Sequence, residues 1–243
     1  MKGVSRETFD VDKQIQQLAE GCSAFGITLG GERKRKFCDY LEELLEWNRR
    51  VNLVSRQDTE NIALHHFLDS LSFLPNIEIP QEARMIDVGT GAGFPGIPLK
   101  ICCPDLRLTL VESTRKKVLF LKHIIDTLRL SGVSVLHERA EALHQDSKYR
   151  DNFDIVVARA VSPLRSLTLL CLPFLKPGGK FVAYKGGDVR GELREARLEL
   201  SKISGRFERE IDVFLPLSNR KRQLIVFTKA HKERNGDAIL SKL

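Results

Sequence analysis

The sequence lacks the segments that would place a chain in or across a membrane. It contains no apolar run near the roughly 18 residues that a membrane span needs, and residues 1–14, MKGVSRETFDVDKQ, have no apolar stretch like that of a signal peptide. Cysteine is also scarce. The cysteines have apolar flanks and form no Cys-x-x-Cys pair. We therefore expect a cytoplasmic protein without a membrane association, with reduced and mostly buried thiols and without a metal site.

Acidic residues are scarce at the C-terminal end of the chain. Residues 159–243 contain 18 Lys/Arg against 9 Asp/Glu, whereas residues 1–80 contain 10 against 13, and the chain has a formal net charge of +7. A further basic run lies at residues 33–36, RKRK. A one-sided positive surplus of this kind indicates a polyanionic partner, of which nucleic acid is the commonest. The alternative explanation of this surplus is that the surface lysines only aid solubility.

Glycine is concentrated in one segment. Residues 85–96, MIDVGTGAGFPG, place four glycines after a short apolar stretch, and a helical pattern follows. Glycines at this spacing let the backbone turn sharply and approach a ligand without an intervening Cβ. The loop amides and the helix N-terminus then face the ligand. We infer a binding site for a nucleoside-containing cofactor.

Two cofactors compete for this loop. Residues 91–96 fit the G-x-G-x-x-G fingerprint of dinucleotide sites, and Glu112 stands where the ribose-binding acid is expected. Residues 87–93 equally fit the D-x-G-x-G-x-G motif of S-adenosylmethionine (AdoMet)-dependent methyltransferases. Asp87 favours AdoMet, because an acid can attract the ammonium group of its methionine part, directly or through water, whereas a pyrophosphate must come close to the turn. No tyrosine has a lysine four residues on, as a short-chain dehydrogenase requires. An NAD(P)-dependent oxidoreductase remains the alternative.

Helical periodicity comes first along the chain, and strand–helix alternation follows. Helices are expected near 11–28, 33–51, from 58 or 59 to before Pro75, and near 97–103, 114–130, 163–175 and 188–203. Strands are expected near 84–88, 107–112, 133–137, 153–158, 179–184, 207–214 and 222–228. This order predicts an α/β fold with a seven-stranded, doubly wound, mostly parallel Rossmann-like sheet and one antiparallel strand in the edge region. We expect an N-terminal helical unit, residues 1–75, and an AdoMet-dependent methyltransferase domain, residues 76–243.

Ligands of such a sheet bind above the C-terminal ends of the strands, where the strand order reverses. This rule predicts that Glu112, at the end of the second strand, bonds to the ribose hydroxyls. It predicts that Ala140 and Glu141, after the third strand, lie beside the adenine or its ribose. Arg159 ends the fourth strand and faces the reacting methyl group. Lys185 follows the fifth strand and flanks the substrate entrance. Structural roles are the alternatives: a helix cap for Glu112, ion pairs for Glu141 and Arg159, and a solvated lysine for Lys185.

The chain also lacks the motifs that several methyl acceptors require. Enzymes that methylate exocyclic amines of bases use Asn/Asp-Pro-Pro-Tyr/Phe after the fourth strand, where this chain has ARAVSP at residues 158–163. Enzymes that methylate pyrimidine C5 use a nucleophilic cysteine, often in a Pro-Cys pair, and this chain has no such pair. Lys116, Asp154 and Lys185 do not make a convincing Lys-Asp-Lys-Glu set for ribose 2′-O transfer. The remaining candidate is an acceptor that is already nucleophilic, such as guanine N7. It has a lone pair and no proton, so alignment matters more than a general base.

Seven segments resemble the bacterial 16S rRNA (guanine-N7)-methyltransferase G family, also called glucose-inhibited division protein B. They occur in the family's order and spacing: WNRRVNLVSRQD (47–58), HHFLDSLSFL (65–74), IDVGTGAGFPGIPLK (86–100), VESTRKKVLFLKH (111–123), RAE (139–141), ARAVSPL (158–164) and KPGGKFVAYKG (176–186). The resemblance implies an AdoMet-dependent enzyme that methylates N7 of one guanosine in the decoding-region loop of 16S rRNA. Its partner would be 16S rRNA or the small ribosomal subunit, and we expect a monomer.

The resemblance also implies roles for individual positions. By motif match, the AdoMet contacts are Gly89, Phe94, Ala140, Glu141 and Arg159. The substrate side comprises Asn52, His66, Asp69, Arg139, Lys185 and Arg222. Reasoning from the residues adds Asp87, Gly91, Gly93 and Glu112 to the cofactor site, and makes Arg159 and Lys185 the catalytic candidates. We hypothesise that His66 and Asp69, on one helix face, close over the site with Asn52. The run 33–36 and the tail after Lys229 match no family motif. A catalytically silent RNA-binding factor remains a third function class.

Overall fold

A seven-stranded sheet forms the centre of the structure, a computed structural model that describes residues 10–159 and 162–230. Its strands are β1 (Arg84–Val88), β2 (Arg107–Glu112), β3 (Val133–His137), β4 (Phe153–Arg159), β5 (Leu175–Lys185), β6 (Gly205–Phe214) and β7 (Lys221–Lys229). Their order is β3-β2-β1-β4-β5-β7-β6. The strands from β3 to β5 are parallel, and β7 is antiparallel to β5 and β6. The predicted fold class is confirmed, with β7 as the antiparallel strand beside the edge strand β6.

Helices cover both faces of the sheet. They are α1 (Val11–Ala24), α2 (Gly31–Asn48), α3 (Asp69–Leu71), α4 (Gly96–Cys102), α5 (Arg115–Thr127), α6 (Ala140–Leu143), α7 (Leu164–Cys171) and α8 (Arg190–Leu200). Side chains of α1, α2, α4 and α5 share one hydrophobic cluster with one sheet face. Side chains of α7 and α8 share a second cluster with the other face. Ala160, Val161 and residues 231–243, which include most of the tail, lie outside the described residues.

The N-terminal helices pack directly against the sheet domain. Buried residues recur at three- and four-residue spacing along α2, at Phe37, Tyr40, Leu41 and Leu44, as expected for a helix with one apolar face. The Tyr40 hydroxyl donates a hydrogen bond to the Ala92 carbonyl in the glycine-rich loop. The predicted boundary at residue 75 falls in the turn before β1. The position of α2 therefore depends on the loop that follows β1.

The third predicted helix is wrong as a single helix. A 3-10 helix, Arg56–Asn61, is followed by a π-helix, Ala63–Leu68, and by the short α3. The buried Gln14 of α1 explains the break: its amide donates to the Thr59 carbonyl and accepts from the Ala63 amide. These two backbone groups would otherwise bond to each other in an α-helix. A side chain inserted into the helical ladder interrupts it at this point.

Two further boundaries differ from the sequence prediction. The helix expected near 163–175 ends at Cys171 and is followed by a 3-10 helix, Leu172–Phe174. Pro173 has no amide hydrogen with which to continue α7. Strand β5 then begins at Leu175, earlier than expected, with an irregular register opposite β4. The long β5 still ends at Lys185, so this difference leaves the position of the candidate site unchanged.

Candidate active site

The loop between β1 and α4 depends on glycine for two separate reasons. Gly89, Gly91 and Gly93 have positive φ angles of 70°, 62° and 100°, which other L-residues adopt only under strain. A Cβ on Gly93 would lie 2.4 Å from Ile97 Cδ1 and 2.6 Å from Tyr40 Oη, whereas a Cβ on Gly91 would meet nothing within 4 Å. Gly93 therefore allows close packing below the loop, and Gly91 borders open space above it.

Asp87 holds this loop from below. Its Oδ2 accepts hydrogen bonds from Thr90 Oγ1 at 2.6 Å and from the Gly96 amide at 2.8 Å. Complete burial raises the pKa of Asp87 to about 6, although both hydrogen bonds oppose the rise. Oδ1 is buried and has no hydrogen-bond partner among the described residues. The predicted contact with an ammonium group stays a prediction, and Oδ1 is the oxygen available for it.

Glu112 joins the end of β2 to the same loop. Its Oε2 accepts from the Gly91 amide at 3.1 Å, and its Oε1 accepts from the Thr114 amide at 2.7 Å. Both predicted roles are compatible with this geometry: the carboxylate orders the start of α5, and each oxygen retains a lone pair for a ligand. After β3, Ala140 is buried at the start of α6 and Glu141 is exposed. These residues lie at the C-terminal ends of β2 and β3.

Arg159, at the end of β4, is held by the N-terminal segment. Its Nη1 donates to Asp69 Oδ2 at 3.0 Å, and its Nη2 donates to His66 Nδ1 at 2.9 Å. The guanidinium lies 4.8 Å from the centre of the Phe94 ring. The side chain of Asp69 is only 1% exposed, so this ion pair is desolvated. His66 and Asp69 lie in successive helical segments, and Arg159 binds them both.

His66 is uncharged at neutral pH. Burial lowers its pKa to about 3, and the positive charge of Arg159 contributes in the same direction. Because Nδ1 accepts from Arg159, the ring proton is assigned to Nε2, which has no hydrogen-bond partner among the described residues. The ring stacks on Phe94 with a centroid distance of 5.0 Å. This histidine therefore orients Arg159 and has no free basic nitrogen.

A cavity of about 320 Å³ opens beside Arg159 and is bordered by four cationic side chains and two carboxylates: Arg159, Lys185, Arg220, Arg222, Asp58 and Asp69. Lys185 Nζ pairs with Glu192 Oε2 at 2.7 Å, and Arg222 Nε pairs with Asp69 Oδ1 at 3.2 Å. The carboxylates of the cavity are thus paired with cations, and the balance of charge is positive. An anionic or electron-rich ligand is the partner that this balance favours.

Asp58 was missed as a site residue by the sequence reasoning. Its Oδ1 accepts from His65 Nδ1 at 2.9 Å and from Arg220 Nη2 at 3.0 Å. Burial opposes ionisation, but hydrogen bonds from Ser55 and His65 lower the pKa of Asp58 to about 2. The sequence predicted only that a helix begins at residue 58 or 59, and it gave no specific signal for Arg220. Tyr184, which lines the cavity and donates to the Ser70 carbonyl, was also missed.

The structure does not join every predicted residue to this cavity. Asn52 is exposed in the segment after α2, and Arg139 is exposed before α6. Within residues 10–159 and 162–230, no side-chain hydrogen bond or ion pair connects either of them to the cavity. The substrate roles of both residues, and the closing role of Asn52, stay predictions.

Two other features are relevant to the kind of site. In the described ranges, no group of three or more His, Cys, Asp or Glu side chains could hold a metal ion. None of the described helices combines the length and the hydrophobicity needed to cross a membrane. All five cysteines are free thiols.

The family model and the curated relatives agree on one family. Residues 33–225 match the model of the family described as rRNA small subunit methyltransferase G. Proteins named ribosomal RNA small subunit methyltransferase G from Acetivibrio thermocellus and Staphylococcus carnosus are 44% and 43% identical to the chain. They cover 87% and 90% of it, and the matches span 87% and 91% of the relatives. Among solved structures, a SAM-dependent O-methyltransferase from Thermotoga maritima has the same fold, with a TM-score of 0.52 and 16% identity. That match covers 80% of this chain and 72% of the other.

Proposed function

Because this chain belongs to the rRNA small subunit methyltransferase G family, we propose that it transfers a methyl group from AdoMet to N7 of a guanosine in the decoding-region loop of 16S rRNA. The carrying observation is the cationic cavity at Arg159, in which His66, Asp58 and Asp69 are each bonded to a cationic side chain. His66 has its basic nitrogen bonded to Arg159, and Asp58 and Asp69 are paired with cations. An acceptor that carries no proton suits this cavity.

The residues around the glycine-rich loop fit AdoMet. The open space above Gly91 leaves room for the ligand, and Glu112, at the end of β2, is placed to accept hydrogen bonds from ribose hydroxyls. Asp87 Oδ1 has no hydrogen-bond partner among the described residues and is the oxygen that a cationic group of the ligand would bind. Ala140 and Glu141 would border the adenosine from the end of β3. When bound, AdoMet supplies an electrophilic methyl group on a positively charged sulfur.

The proposed transfer needs no proton movement. The N7 lone pair would form the new carbon–nitrogen bond, and the electron pair of the broken carbon–sulfur bond would stay with sulfur. The positive charge passes from sulfur to the purine ring. The protein's main contribution is to hold the base in line with the methyl group, which makes rigid positioning the principal source of the rate.

Arg159, Lys185 and Arg222 are the residues proposed to position the guanosine. Arg159 is held on two sides by His66 and Asp69, so its guanidinium has a defined orientation. Arg222 makes only one side-chain hydrogen bond among the described residues, through Nε, and its Nη groups are available to a ligand. A single donor on guanine O6 orients the base and leaves N7 free. Binding of both O6 and N7 by one side chain would block the reaction.

The test uses purified protein, methyl-labelled AdoMet and either unmodified 16S rRNA or unmodified small subunits. The product nucleosides are then identified. Label in 7-methylguanosine at one position in the decoding-region loop is the expected result. Label in another nucleoside would retain the cofactor and overturn the N7 assignment. Binding of AdoMet and RNA without transfer would assign the chain to the catalytically silent class.

A further inference from the structure

The tip of the hairpin formed by β6 and β7, residues 214–221, carries an exposed aromatic side chain. Phe214 is 65% exposed and Leu217 is 57% exposed, and Phe214 is the only aromatic residue among the large exposed hydrophobic side chains of the described ranges. Strand alternation explains the exposure, because the neighbours Val213 and Leu215 are buried on the opposite side. No described role in the core or in the cavity uses the Phe214 ring.

The hairpin tip lies at the same edge of the sheet as the candidate active site. Strand β6 runs parallel to β5, since both are antiparallel to β7. The C-terminal end of β6 at Phe214 therefore lies on the same side as Lys185. Arg220, from the hairpin tip, borders the cavity and binds Asp58. The hairpin tip therefore lies beside the cavity at the same edge of the sheet.

The charges around Phe214 suit a nucleotide. Lys221 pairs with Phe214 across the hairpin, and its Nζ lies 5.1 Å from the centre of the ring. The nearest acidic side chain along β6, Asp212, accepts a hydrogen bond from Gln223. An exposed ring beside a lysine is an arrangement that binds single-stranded nucleic acid, with the ring stacked on a base and the cation near a phosphate.

We propose that the hairpin tip is a second RNA subsite, in which Phe214 stacks on the base of a nucleotide that flanks the target guanosine while Lys221 contacts the backbone phosphate. This inference rests on the proposed function and adds a contact outside the reacting centre. Because stacking contributes only to binding of the RNA, the subsite affects the KM for RNA and leaves AdoMet affinity unchanged.

The test compares Phe214→Ala, Phe214→Tyr and the control Leu198→Ala, which truncates another exposed hydrophobic side chain, on α8. Methyl transfer is measured with a short unmodified RNA containing the decoding-region loop and with small subunits. We expect Phe214→Ala to raise the KM for both RNAs about tenfold or more, as loss of a stacked base does, with kcat and AdoMet affinity within about twofold of the parent. Phe214→Tyr and Leu198→Ala should retain the parent KM.

A binding assay separates failure of the subsite from failure of the proposed function. Phe214→Trp adds a second indole to the chain's single Trp47, and a stacked base should quench its emission beyond any change in the parent. Quenching without methyl transfer would support the subsite and overturn the proposed chemistry. Normal transfer by Phe214→Ala with an unchanged KM would overturn the subsite alone. A rise in KM only with small subunits would assign the surface to a protein partner and also overturn the subsite.

Discussion

At the scale of single residues, Arg159 connects the end of β4 to the N-terminal segment. Its two hydrogen-bonded partners, His66 and Asp69, are 93 and 90 residues away in sequence. The charge of Asp69 is almost completely buried, and a buried charge is costly unless its partners remain in place. One side chain therefore contributes both to the stability of this contact and to the geometry of the cavity.

Arg159→Ala is expected to lower the rate of methyl transfer at least about 100-fold, because it removes a preorganised charged donor. It should also lower the free energy of unfolding by about 3 kcal/mol, because Asp69 loses its shortest ion pair. Single-turnover transfer and urea unfolding measure the two effects. Arg165→Ala, which breaks an exposed ion pair with Glu199, is the control and should change neither. Parent-like transfer by Arg159→Ala would contradict a role in positioning the guanosine.

Asp87 makes a specific contribution to the pH dependence of stability. Its pKa rises from 3.8 to about 6 on folding, so the folded chain holds the proton more tightly than the unfolded chain. This contribution to stability is complete below pH 3.8 and is lost as the pH rises through about 6. The total change is on the order of 3 kcal/mol.

The comparison of the parent with Asp87→Asn isolates this contribution, because asparagine can still accept from Thr90 and Gly96 and does not titrate. Urea unfolding between pH 4 and pH 7 should show Asp87→Asn gaining stability relative to the parent as the pH rises. A difference between the two proteins that stays constant over this range would show that Asp87 keeps an ordinary pKa in the fold.

At the scale of elements, the glycine-rich loop and α2 depend on each other. Tyr40 of α2 donates to the loop at Ala92, and the same hydroxyl occupies the space where a Cβ on Gly93 would lie. The position of the glycine-rich loop is therefore coupled to the packing of an N-terminal helix. This coupling can be measured with glycine substitutions.

Gly93→Ala is expected to destabilise the protein more than Gly91→Ala. Both residues have positive φ, which costs alanine about 1–2 kcal/mol, but only Gly93 would also place its Cβ against Ile97 and Tyr40. Tyr40→Phe should partly relieve Gly93→Ala, so that the double variant loses less stability than the two single variants together. Thermal unfolding and AdoMet titration measure these effects. Equal losses for Gly91→Ala and Gly93→Ala would contradict the packing argument.

At the scale of the whole molecule, the two basic regions lie at different ends. Arg220 and Arg222 border the cavity at the C-terminal ends of the strands. The run 33–36 lies in the first turns of α2, near Cys102 at the C-terminal end of α4. Burial raises the pKa of the Cys102 thiol to about 12, and Arg33 is close enough for its charge to oppose that rise. RNA bound at the cavity would contact the first region and not the second.

RNA affinity should fall as the salt concentration rises, and the slope of log K against log salt should distinguish the two basic regions. Lys221→Ala is expected to reduce the slope of log K against log salt by about 0.7, the value for one phosphate contact to a single strand. Replacement of Lys34 and Arg35 by alanine should leave the slope unchanged. Titrations of a labelled RNA fragment at several salt concentrations provide the measurement. A reduced slope for the Lys34 and Arg35 variant would extend the RNA footprint to α2.

The sequence by itself determined the class of fold, the glycine-rich loop and the family. These properties depend on local information: periodicity within a helix, apolar strands at regular intervals, and residue spacing within short motifs. It also predicted Arg159, His66 and Asp69 as site residues, through motif matches and the rule for strand ends. The antiparallel last pair of strands could be predicted because no helix lies between them.

Only the tertiary structure decided which of these side chains meet. Arg220 reaches Asp58 across 162 residues of sequence, and Gln14 breaks a helix 45 residues away by binding Thr59. Neither contact has a local signature, because a hydrogen bond between distant segments depends on how the whole chain packs. The exposure of Phe214 likewise depends on the face of β6 from which its side chain projects. Sequence pattern specifies the elements, whereas burial and distance between elements define the cavity and its surroundings.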